Sequence, residues 1–91
     1  MTVWVVGVAD CESNSIKAIC STKEIAEREL FKARDELVAD WKRMDKFCKE
    51  RDIADNMYKD MITALSGKDY ENWDNYPHEK PYLYETEVVE E

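Results

Sequence analysis

The residues of this chain that could do chemistry are few, and their spacing does not suit it. Its one histidine, His78, lies between Pro77 and Pro81 with no cysteine or second histidine near it. A zinc site needs several such ligands, and an activated nucleophile needs an acid–base partner. His78 is therefore read as a surface loop residue. Cys11, Cys20 and Cys48 have no CxxC or other metal-ligand spacing and are expected to be small core residues with free thiols. Gly7 and Gly67 are the only glycines, so there is no glycine-rich phosphate loop. Acidic pairs abound, but at a formal net charge of −8 they carry little information. The expectation is a protein that is not an enzyme, with no catalytic residue, cofactor or metal.

The aromatic residues are more informative. Tyr70, Trp73 and Tyr76 recur every three residues, and Tyr82 and Tyr84 follow closely. Such side chains bury much area at low entropic cost and are enriched where proteins bind one another. With the neighbouring Glu85 and Glu87, and Glu90 and Glu91 beyond, they form the candidate partner-binding surface. Two other readings stay open. The rings could staple their own loop to a helix, or they could stack on a base while Lys80 meets a phosphate.

Bulk composition narrows the classes. Ninety-one residues make one domain, spanning 1–91, with no room for a second independent core. Apolar residues at 44% suffice for a fold, and charged residues at 37% suit a thin structure with much surface. The acidic balance excludes binding nucleic acid through its phosphates, which needs a basic patch. It fits a basic protein partner or mimicry of a nucleic-acid surface. No run approaches the ~20 apolar residues of a membrane span. Val3 to Val8 is too short for a secretory leader and no basic stretch precedes it. The expected location is cytoplasmic, or the host cytoplasm if the source is viral.

The elements that position these residues can be read in order. Thr2 to Val8 is β-branched and aromatic and predicts a buried strand. Asp10 to Ser15 is a polar turn, and Ile16 to Cys20 a second strand, so that 1–20 forms a hairpin. Ser21-Thr22-Lys23-Glu24 reads as a capping box with Ser21 as the cap. Residues 22–66 follow as a long helix, closed by Gly67 in a left-handed conformation. A helical hairpin turning near 49–52, with Asp52 capping a second helix, is the alternative. Residues 67–81 form an aromatic, acidic loop. Residues 82–89 form a strand with Tyr82, Tyr84, Thr86 and Val88 on one face. The fold class is α+β, a three-stranded antiparallel sheet in β-β-α-β order with one long helix or a helical hairpin.

Within 23–65 a heptad can be drawn. Leu30, Leu37, Met44, Arg51, Tyr58 and Leu65 take position a; Ala26, Ala33, Asp40, Phe47, Ala54 and Met61 take position d. Trp41, Cys48 and Ile62 share the adjoining e position and widen the stripe. An antiparallel pair of such helices would set Met44 against Phe47, Leu37 against Ala54 and Leu30 against Met61. It would also set Asp40 against Arg51, where the apolar pattern fails. The expectation is a homodimer whose interface holds Leu30, Leu37, Asp40, Met44, Phe47, Arg51, Ala54, Tyr58 and Met61.

Trp4-Val5-Val6-Gly7, the run Ile16-Lys17-Ala18-Ile19-Cys20-Ser21-Thr22-Lys23-Glu24, and Tyr84-Glu85-Thr86-Glu87-Val88 together resemble small accessory proteins of bacteriophages. That resemblance covers under a third of the chain. It implies a host-takeover or anti-defence role: an inhibitor that binds a host or bacterial defence protein and acts by surface occlusion. It equally admits an oligomeric sponge that sequesters a signalling nucleotide. A structural or scaffold protein without a dedicated ligand is the third expectation.

Overall fold

A computed structural model of the chain describes residues 1–10, 13–51, 57–73 and 79–89. The elements are β1 (Thr2–Ala9), β2 (Asn14–Cys20), α1 (Lys23–Glu50), α2 (Met57–Ala64), a single 3-10 turn at Tyr70–Asn72, and β3 (Lys80–Glu87). The fold is α+β. By density of contacts the chain forms two compact units, Met1–Arg34 with His78–Glu91, and Asp35–Pro77.

The first unit is built on β1. This strand pairs antiparallel with both neighbours, giving the order β2-β1-β3. Its run of valines suits that place, because a central strand lies between neighbours on both edges and buries most of its surface. The connection from β1 to β2 is closed by Asp10. Its amide donates to the Ser13 carbonyl at 2.9 Å, and its carboxylate accepts from the Ser13 amide at 2.5 Å and hydroxyl at 3.0 Å. β3 is far away in sequence, and its ladder with β1 runs unbroken from Thr2↔Glu87 to Ala9↔Lys80. Beyond the strand ends, the Val88 amide donates to the Met1 carbonyl at 2.8 Å.

The β1–β2 ladder contains one irregularity. Val6 pairs with Ala18 but Gly7 pairs with Ile16, which leaves Lys17 as an extra residue in a β-bulge. The register then sorts the sheet into two faces. Val6 and Cys20 are buried on one; on the other, Val3 and Val5 are buried in the central strand while Ile16, Ile19 and Tyr84 on the flanking strands are exposed. On the first turns of α1, Ala26, Leu30 and Ala33 are buried at helical spacing.

The cap of α1 corrects the sequence reading by one residue. Thr22, not Ser21, precedes the helix: its hydroxyl accepts from the Ile25 amide at 3.3 Å and its carbonyl from the Ala26 amide at 3.2 Å. Threonine and serine both cap well, so the pair offers two frames one residue apart.

In the second unit α1 ends at Glu50, where the Arg51 amide is shared between the Phe47 and Cys48 carbonyls at 3.2 and 3.3 Å. The helical stretch thus comes as a long helix and a shorter one. Asp52 and Ala54, which bear on the hairpin turn and the heptad, lie outside the described residues. Trp41, Cys48, Met61, Leu65 and Trp73 are buried in this unit. Gly67 follows α2 at φ +86°, the left-handed residue anticipated there.

Burial along α1 departs from the heptad. It falls on Ala26, Leu30 and Ala33 and then on Trp41 and Cys48, while Met44 and Phe47 are exposed. An α-helix drifts ~20° per heptad against a strict seven-residue repeat. The buried stripe follows the straight helix, moving from positions a and d onto position e.

Among the described residues no helix is long and apolar enough to cross a membrane, and no group of three His, Cys, Asp or Glu could hold a metal ion.

The cap assignment predicts that Thr22→Ala lowers stability by about 1 kcal/mol while Ser21→Ala leaves it nearly unchanged. Urea unfolding followed by circular dichroism separates the two.

Candidate functional site

The face that carries Ile16, Ile19 and Tyr84, bare along both flanking strands, is assembled from all three strands. Cross-strand pairing puts Val3, Val5 and Gly7 of β1 beside Thr86, Tyr84 and Tyr82 of β3, and puts Ile19 and Ile16 of β2 beside Val5 and Gly7. Ile16 is 59% exposed, Ile19 66% and Tyr84 47%. Met1 and Val88, joined by hydrogen bonds at the end of the β1–β3 ladder, add further exposed apolar surface.

Tyr82 organises this face. It pairs with Gly7, and its ring lies across the space that a side chain at Gly7 would fill. Crossing β1 in this way, the Tyr82 hydroxyl donates to Asn14 Oδ1 at the start of β2. The ring also stacks on Tyr84, two residues along the same face, with centroids 5.8 Å apart and planes at 13°. Gly7 is therefore required for want of a side chain, and one β3 residue is tied to the far edge of the sheet. An added Cβ would also come within 2.8 Å of the Ser15 carbonyl oxygen. Moving the tyrosine alone would not make room for it.

Charge is distributed unevenly over the two faces. The register gives the bare face no carboxylate, and Lys80, paired with Ala9, is the charged residue at its end. Glu85 and Glu87 alternate with the tyrosines and lie on the other face. There Glu87 Oε1 accepts from the Thr2 hydroxyl at 2.9 Å.

The second unit holds the remaining aromatic candidates. Trp73 is buried (5% exposed) and meets the edge of Tyr70 at 6.3 Å between centroids. Beside it is a cleft of about 650 Å³ whose polar lining comes from Asp60, Thr63, Ser66, Asp69 and Asn72. Asn72 Nδ2 donates to Asp69 Oδ2 at 2.6 Å. Among the described residues the lining contains two carboxylates and no lysine, arginine or histidine, which suits an amine or a water network and repels a phosphate. Tyr76 and His78 lie outside the described residues.

Of the expected partner surface, then, the structure brings Tyr82 and Tyr84 together, turns Glu85 and Glu87 to the opposite face, and places Tyr70 and Trp73 in the other unit. Of the expected dimer seam, Leu30 and Met61 are buried within the single chain, at 1% and 4% exposed, and offer no surface to a second copy. Leu37 and Tyr58 are half-buried, and Met44 and Phe47 are exposed. Asp40 is ion-paired with Arg43 one turn along α1, and the Arg51 guanidinium lies 4.7 Å over the Phe47 ring.

Ile16 and Ile19 were not singled out from the sequence. Three residues apart, they fall on opposite faces of a regular strand. The bulge at Lys17 returns both to one face, and nothing in the local composition announces it.

Comparison of the chain with known protein families, curated proteins and solved structures finds no match.

The close packing of Tyr82 on Gly7 predicts that Gly7→Ala destabilises the protein by ~1–3 kcal/mol, the usual cost of overpacking. Tyr82→Phe, which loses only the bond to Asn14, should cost about 1 kcal/mol. Thermal unfolding of the two variants checks the order.

Proposed function

We propose that this chain is a non-catalytic, acidic protein-binding module that occludes a basic surface of another protein. The observation that carries this reading is the segregation of its charge. Glu85 and Glu87 are exposed side by side along one face of the sheet. Among the described residues the other face of the sheet carries no carboxylate. A net charge of −8 arranged in this way raises the encounter rate with a basic partner and fixes the side of approach. Inhibition by occlusion, as the resemblance to phage accessory proteins implies, needs such a surface and no catalytic group.

A nucleotide sponge is supported less well. The cleft beside Trp73 presents Asp60 and Asp69 where a phosphate would need cations.

Electrostatic capture should weaken steeply with salt, because charges more than ~10 Å apart are screened at 0.1 M. Affinity capture from cells of the source, with tagged wild-type protein at low and high salt, is the direct measurement. The expected result is a basic protein retained at low salt, released at high salt, and bound about tenfold more weakly by Glu85→Lys/Glu87→Lys. Retention that is indifferent both to salt and to the charge reversal would overturn the proposal.

A further inference from the structure

We propose that the open face of the sheet is a self-association surface, covered in solution by the same face of a second copy of the chain. Met1, Ile16, Ile19, Tyr84 and Val88 are all substantially exposed, and the register places them on this one face. An exposed apolar patch of a few hundred Å² is about the size at which such a surface signals an interface. Two such patches in contact approach the ~1,000 Å² that a specific interface clears.

Charge selects the occupant. In a chain of net charge −8, chance would scatter carboxylates over every surface, yet the described residues put none on this face. A basic partner would find nothing to pair with there. An acidic one would find only Lys80 at the end of the face and Lys17 in the bulge. A second copy meets neither difficulty, since it brings β-branched and aromatic side chains to match and no carboxylate to repel. Two sheets packed face to face ~10 Å apart interdigitate such side chains, as in a β-sandwich. A two-fold axis makes the contact self-complementary, so that Ile19 and Tyr84 serve both copies.

The face is also held ready. Tyr82 is tied to Asn14 and stacked on Tyr84, so part of the contact surface is ordered before association and that entropy is not lost on binding. The acidic residues of β3 remain on the other face, and occupation of this one leaves Glu85 and Glu87 uncovered.

Sedimentation equilibrium of reduced, full-length protein at micromolar concentration tests the assignment. The wild type should be a dimer, and raising the salt should tighten it, because screening relieves the repulsion between two copies of charge −8. That sign is opposite to the one expected for a basic partner, so the two proposals fail separately. Ile19→Asp/Tyr84→Asp should raise the dissociation constant by about tenfold or more. Val88→Lys, beyond the end of β3, is a milder variant with the same expected direction should the double variant unfold. Met44→Asp/Phe47→Asp, which alters the exposed apolar pair on α1, should leave the dimer intact. A monomeric wild type would overturn the assignment. So would a dimer that survives the sheet-face variants and is lost in the helix variant.

Discussion

The structure of the first unit depends on β1 being hydrogen-bonded along both edges. That constraint joins a local hairpin to a strand from the far end of the chain, and it fixes which residues meet. Because the β1–β3 ladder runs without a break, Tyr82 falls opposite Gly7 and Tyr84 opposite Val5. Because the β1–β2 ladder carries a bulge, Ile16 and Ile19 fall on the same face as those tyrosines. A slip of one residue in either ladder would turn the whole apolar set to the other side. Tyr82 reports on both ladders at once: its ring needs Gly7 beneath it and its hydroxyl needs Asn14 beyond.

The three strands were legible in the sequence because their signal is local. Each is a run of β-branched and aromatic residues between polar turns, and the face shared by Tyr82, Tyr84 and Thr86 followed from alternation alone. Gly67 was legible for the same reason, as a residue with one conformational use after a helix. The contents of the open face were not, since they depend on the bulge at Lys17, and a bulge is set by how two strands meet. The helical stretch misled in a different way. Its apolar residues satisfy a heptad on paper, but the buried ones drift with the 3.6-residue period, from Leu30 at a to Trp41 and Cys48 at e. A wide stripe cannot distinguish a seam for another chain from a face for its own. The aromatic cluster likewise divides between units, Tyr82 and Tyr84 in the first and Tyr70 and Trp73 in the second.

Charge gives the molecule its second level of organisation. Ion pairs contribute little to the fold: Lys46 with Glu50 at 3.9 Å, for example, is a surface pair within one helix. Pairs of this kind contribute a few tenths of a kcal/mol at most. Stability rests instead on the apolar burial of Val6, Leu30 and Leu65 and their neighbours, which the net charge opposes.

The bulge at Lys17 bears on one further matter, the manner in which this protein can grow. β2 lies at the margin of the sheet, where its outer backbone groups form a template for another strand, and repeated strand-to-strand addition has no natural end. An extra residue in mid-strand spoils the regular spacing of that template, and a lysine beside it charges the approach. β3 at the other margin is guarded by Pro81, which has no amide to donate, and by its glutamates. With both margins blunted, strand-by-strand propagation is disfavoured, and the association proposed through the flat of the sheet closes on itself as a finite pair.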